Sequence, residues 1–92
     1  IPIEVETRNL DEVREALGLA EVARIMFDNF TLPMMREGVA LVAGKKETEA
    51  SGDVTLENVR AVAETGVQFI SSGALTHSAK ALNLSLEIIK KG

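Results

Sequence analysis

Four runs of the chain read as β-strands, beginning near Pro2, Arg24, Lys46 and Val67, roughly 22 residues apart with helical periodicity between them. No other feature narrows the fold as far. Strands separated by helical segments cannot pair as hairpins, so the expected fold is α/β, with a parallel sheet and crossover helices. Residues 1–92 read as one (βα)₄ unit, without linkers or low-complexity stretches, and leave no room for a second domain. Two closures fit this spacing: half of a (βα) barrel, or a small open flavodoxin-like sheet. A half-barrel would leave its outer strands with unpaired edges, so assembly into a homo-oligomer is expected with it.

Local signals place the elements. Ile3 and Val5 alternate with Glu4 and Glu6 in strand one, about Pro2 to Thr7. Asn9 and Glu12 form a capping-box pattern that opens a helix to about Leu17, with Gly18 behind it. Strand two is Arg24 to Asp28, and Thr31 with Pro33 starts a helix running to Gly44. Gly38 lies inside that helix and costs about 1 kcal/mol relative to alanine. Strand three is about Lys46 to Ala50, and its helix is expected from Thr55 to about Thr65. Strand four is Val67 to Ser71, followed by an amphipathic helix carrying Leu84, Leu86, Ile88 and Ile89.

Composition limits the function classes. Apolar residues make up 46%, but with three phenylalanines and no tryptophan or tyrosine, the core must be built mainly from Val, Ile, Leu, Ala and Met. Ten basic against fourteen acidic residues, a net charge of −4, argue against nucleic acid as a partner. The absence of cysteine excludes disulfides, thiol nucleophiles and thiolate metal sites. No apolar stretch of spanning length and no signal peptide are visible, so no membrane partner and a cytoplasmic location are expected. The start at Ile1-Pro2-Ile3, inside a strand and without methionine, reads as a piece of something longer.

The candidate chemistry lies where strands turn into helices. Ser51-Gly52 and Ser72-Gly73 each end a strand at a helix start, where backbone N–H groups can approach an oxyanion and the helix dipole favours it. Such a pair in the last two βα loops reads as a phosphate cradle. The strands also carry carboxylates on one face: Glu4 with Glu6, Asp28 beside Met26, and Glu47 with Glu49. If that face lines a barrel, Glu6, Asp28 and Glu49 sit near its C-terminal mouth. There they can hold Mg²⁺ with its waters, accept hydrogen bonds from sugar hydroxyls or stabilise a developing cation. Glu4 and Glu47 read instead as solvated charges, Glu6 and Asp28 as functional ones. The basic residues Arg8, Arg14, Arg24, Arg36 and Arg60 read as loop or helix positions.

Ile3-Glu4-Val5-Glu6, Arg24 to Phe30, Glu49-Ala50-Ser51-Gly52 and Ser72-Gly73-Ala74-Leu75-Thr76-His77-Ser78 together resemble the quinolinate phosphoribosyltransferase family, also named nicotinate-nucleotide pyrophosphorylase (carboxylating). The resemblance covers essentially the whole chain, in order and at near-matching spacing, and corresponds to the C-terminal part of that family's α/β barrel domain. It implies a transferase of NAD biosynthesis that joins quinolinate to phosphoribosyl pyrophosphate with Mg²⁺, giving nicotinate mononucleotide, carbon dioxide and pyrophosphate. Carried over by position, Glu6 and Asp28 match an acidic pair that contacts the ribose hydroxyls and the metal-bound pyrophosphate, Asp28 reaching the metal only indirectly. Ser51, Gly52 and Asp53 match one phosphate turn, and Ser72, Gly73 and Ala74 the other. His77 lies in the adjoining motif, where a cap or packing role competes with a substrate contact.

Two departures qualify the match. Asp53 stands where the family often has glycine or asparagine, and would repel a phosphate unless it points outward as a turn acid. The Arg, His and Lys cluster that grips quinolinate, together with the family's N-terminal domain, lies upstream of this chain. The missing remainder of the enzyme is therefore an implied partner, and this chain alone is expected to lack turnover. The competing reading is an engineered or excised half-barrel with no activity, of interest for folding and assembly.

Overall fold

A computed structural model describes residues 3–71. Ser72, Gly73, Ala74, His77 and the helix expected around 84–89 lie outside the described residues. The elements are β1 (Ile3–Thr7), α1 (Leu10–Leu17), β2 (Val22–Asp28), α2 (Leu32–Val42), β3 (Glu47–Ser51), α3 (Val59–Glu64) and β4 (Phe69–Ser71). All three ladders are parallel and the strand order is β1-β2-β3-β4. A flavodoxin-like sheet reverses its order at a switch point, and the described strands do not. Consecutive order, with α1 packed on α2 and α2 on α3, is the arrangement of half a (βα) barrel.

The two faces of the sheet differ sharply. One packs on the helices: Thr7, Ile25, Phe27 and Ala50 are fully buried there, joined by Val13 and Ala16 of α1, Met35 and Val42 of α2 and Val62 of α3. Thr7 satisfies its buried hydroxyl by donating to the Met26 carbonyl at 2.8 Å. Phe27 stacks on Phe30 with ring centroids 4.8 Å apart. This face is the core, and the opposite face carries mainly polar side chains, with Met26 and Phe69 among them.

Helix starts follow their caps. Asn9 accepts from the Glu12 amide at 2.9 Å, while Glu12 reaches back to the Arg8 amide at 2.7 Å, one residue earlier than a standard box. Gly18 stands at the C-cap of α1 but with φ −79, a conformation open to any residue. Thr31 caps α2 with Pro33 in its first turn, and the left-handed cap at the other end falls on Ala43 (φ 51), one residue before the expected glycine. The third helix begins at Val59 and not at Thr55. The Thr55 amide donates to Asn58 Oδ1 at 2.8 Å and the Asn58 amide to Thr55 Oγ1 at 3.3 Å, so these residues close a separate turn first. Likewise β4 begins at Phe69: the Gln68 backbone N–H already donates to the Thr48 carbonyl at 3.1 Å, but the Thr48 amide is taken by the Gln68 side-chain oxygen at 3.2 Å.

Gly38 has a packing reason to be glycine. A Cβ at this buried position would lie 2.9 Å from Phe27 Cζ, on a ring fixed by the core and by Phe30. Gly38→Ala therefore sets a helix-propensity gain of about 1 kcal/mol against overpacking worth about 1–3 kcal/mol. Urea denaturation is expected to show a net loss of about 1 kcal/mol. A more stable alanine variant would mean that the Phe27 ring shifts freely.

Candidate active site

The polar face is ordered in rows across the strands, because parallel registry places residues of equal depth side by side. Glu4, Arg24 and Glu47 form one row, and Glu6, Met26, Glu49 and Phe69 the next. Asp28, Ser51 and Ser71 form the last, at the C-terminal ends of their strands. The shared face expected for Glu6, Asp28 and Glu49 is thus present, with Glu6 and Glu49 one row deeper than Asp28.

At the mouth, Asp28 lies 3.6 Å from the exposed Arg8 guanidinium. Ser51 leads into Gly52 (φ 84) and Asp53 (φ 46), two successive left-handed residues that swing the chain away from the sheet. The Asn58 amide group ties this turn down by donating to the Asp53 carbonyl at 2.9 Å, leaving the Asp53 side chain exposed. Asn29, itself left-handed at φ 58, donates its backbone N–H to the Ser51 carbonyl at 2.9 Å and lays its side chain against Gly52. The loops after β2 and β3 are therefore locked together at one point.

Deeper in the face, Arg24 organises the carboxylates. Its Nε and Nη2 donate to Glu47 Oε1 at 3.2 and 3.1 Å, and Nη1 to Glu49 Oε1 at 3.2 Å. The guanidinium sits 3.9 Å from the centre of the Phe69 ring, a cation–π contact that fixes its plane. Glu49 is 7% exposed, and its Oε2 accepts from Ser71 Oγ at 2.5 Å. Burial pushes the Glu49 carboxyl up, but hydrogen bonds with Glu4, Ser71 and Arg24 and the Arg24 charge outweigh it and hold the group below the usual carboxylate range. Glu4 moves the other way, to about 7, chiefly through its hydrogen bond with Glu49, then through burial and the Glu49 charge. The two carboxyls thus favour sharing one proton more than separate carboxyls would.

The structure puts Asp28 and Ser51 side by side at one end of one face, with Glu6 one row deeper and the Gly52–Asp53 turn leading off Ser51. It also corrects two sequence expectations. Arg24, expected both as the first residue of strand two and among the loop and helix charges, is a strand residue at the centre of this face, and Glu47, still half exposed, is its ion-pair partner. Arg24, Ser71, Asn29 and Arg8 were not among the expected site residues. The alternation Arg24-Met26-Asp28 carries the signal for the first, and Asn29 immediately after a strand the signal for the third. Among the described residues no group of three His, Asp or Glu side chains is arranged to hold a metal, and no helix is long and apolar enough to cross a membrane.

Comparison with known proteins agrees with this architecture. A family model described as quinolinate phosphoribosyl transferase, C-terminal domain, matches residues 1–87. The chain is 50% identical over 102 aligned residues to quinolinate phosphoribosyltransferase [decarboxylating] 2b, mitochondrial, of Nicotiana tabacum, covering 96% of this chain and 29% of that protein. It is 50% identical to the chloroplastic nicotinate-nucleotide pyrophosphorylase [carboxylating] of Arabidopsis thaliana, covering 94% and 29%. Among solved structures, the nicotinate-nucleotide pyrophosphorylase of Ehrlichia chaffeensis superposes with a TM-score of 0.75 at 39% identity, covering 83% of this chain and 27% of that one. That of Francisella tularensis gives 0.73 at 40% identity, covering 79% and 26%. The chain spans under a third of the length of these relatives.

Proposed function

The chain belongs to the quinolinate phosphoribosyltransferase family, as part of its C-terminal domain, and on that premise we propose that it supplies the phosphoribosyl half of the active site. The whole enzyme would join quinolinate to phosphoribosyl pyrophosphate and release nicotinate mononucleotide, carbon dioxide and pyrophosphate. One observation carries the reading for this chain: Asp28 and Ser51 lie side by side at the strand ends, directly beside the locked Asn29–Gly52 contact. In this reading Ser51, Gly52 and Asp53 form one phosphate turn, with Ser72, Gly73, Ala74 and His77 supplying the other. Glu6 and Asp28 face the ribose and stabilise positive charge that develops at its anomeric carbon as pyrophosphate leaves.

Mg²⁺ belongs to the same proposal. Glu6 and Asp28, with no third ligand grouped with them among the described residues, fit an ion that keeps its waters and arrives on a substrate phosphate, so Asp28 would meet it indirectly, through Mg-pyrophosphate. Arg8, ion-paired with Asp28, is placed to share the pyrophosphate charge. Cytoplasmic residence and homo-oligomer formation through the outer strand edges complete the reading. Turnover requires the quinolinate-gripping residues outside this segment, because holding both substrates together supplies most of the acceleration.

The test is an NMR titration of the labelled chain with phosphoribosyl pyrophosphate and Mg²⁺. Saturable shifts are expected at the amides of Ser51, Gly52, Ser72 and Gly73. Silence at all four would leave the family fold without its ligand.

A further inference from the structure

Ser51 and Ser71 occupy equivalent places in adjacent strands, yet their hydroxyls are committed differently. Ser71 gives its one proton to Glu49 Oε2 at 2.5 Å, the length of a strong charge-assisted hydrogen bond. Glu49 is buried and pinned by Arg24, which in turn is fixed by Glu47 and the Phe69 ring, so this commitment is rigid. Ser51 has no side-chain partner among the described residues, so none of them takes its hydroxyl proton. A hydroxyl whose proton is taken presents lone pairs only. It accepts from a sugar O–H and is repelled by an ionised phosphate oxygen, whereas Ser51 can donate to that oxygen.

We propose that Ser71 is a specificity-determining residue that accepts a hydrogen bond from a ribose hydroxyl, with Glu49 as the positioning residue that keeps the Ser71 proton turned away from the mouth. This deepens the reading given above and rests on it. Ser71 lies in the same row as Asp28 and Ser51, so the row presents acceptor, donor and acceptor across the strand ends. The row thus offers acceptors for sugar hydroxyls beside a donor for a phosphate oxygen, a set that phosphate alone cannot use in full.

The experiment compares ribose 5-phosphate with inorganic phosphate by calorimetry on the full chain and on Ser71→Ala, Ser71→Thr and Glu49→Gln, each checked for fold by its amide spectrum. Ser71→Ala is expected to weaken ribose 5-phosphate about tenfold and to leave inorganic phosphate within about twofold, the loss of one directed hydrogen bond. Ser71→Thr restores most of the difference. Glu49→Gln, which weakens the hold on the Ser71 proton, shifts the affinity ratio in the same direction as Ser71→Ala. Equal weakening of both ligands in Ser71→Ala would assign Ser71 a structural role only, and no weakening of either would remove it from the site. If the unsubstituted chain binds neither ligand, the phosphoribosyl reading itself fails and takes this inference with it.

Discussion

Gly52→Ala is expected to cost roughly 2–4 kcal/mol of stability and to abolish the ligand-dependent shifts at Ser51 and position 52. Two effects add. At φ 84 an L side chain meets its own backbone, a cost of about 1–2 kcal/mol. The new Cβ would also run into the Asn29 side-chain amide and come within 3.2 Å of the Asn29 backbone nitrogen. Asn29 cannot retreat cheaply, because its own left-handed conformation and its N–H bond to the Ser51 carbonyl depend on the same contact. Relief therefore requires the loops after β2 and β3 to separate, which moves Asp28 and Ser51 apart. Urea denaturation and the phosphoribosyl pyrophosphate titration measure the two losses independently. An alanine variant with wild-type stability would mean that the interlock is loose, and Gly52 would then matter only for access to the phosphate.

Much of this arrangement can be read from the residues. The strand spacing and the alternation of Ile3, Val5 and Thr7 with Glu4 and Glu6 specify both the parallel sheet and its polar face, because period two and a buried helix-facing side leave no other placement. Asn9 and Thr31 act as caps because their side chains satisfy amides that no helix can satisfy for itself. What is not legible is whatever depends on registry between strands. Arg24, Glu47 and Glu49 are separate charges in the sequence and one ion-paired group in the sheet, since only the β2–β3 register sets Arg24 against Glu47. The propensity cost of Gly38 likewise hides its purpose, which is the room it gives the Phe27 ring. Thr55 looks like the start of a helix, but it and Asn58 bond each other and delay it.

Charge removal at Arg24 has the second large effect. Arg24→Met keeps an apolar stem and a sulfur that can pack on Phe69, while deleting the cation between Glu47 and Glu49. Breaking a fully buried pair costs about 3–5 kcal/mol. Arg24 keeps 31% of its side chain exposed, so roughly 2 kcal/mol is expected at pH 8. The pH dependence identifies the cause. In the unsubstituted chain Glu4 titrates near 7 against an ordinary value of 4.5, so between those values the folded state holds a proton the unfolded state lacks. Its contribution therefore falls as pH rises through that window. Glu49, held low by its hydrogen bonds and by Arg24, contributes in the opposite sense: fully above 4.5, and less as pH falls below it. Without Arg24, burial and the neighbouring carboxylates push Glu49 upward, and it joins Glu4 in favouring the protonated form. The stability lost by Arg24→Met should thus be much smaller at pH 5 than at pH 8, as urea midpoints at the two pH values would report. Equal losses at both would show that Arg24 holds the face together by packing on Phe69, and that the carboxylates do not need its charge.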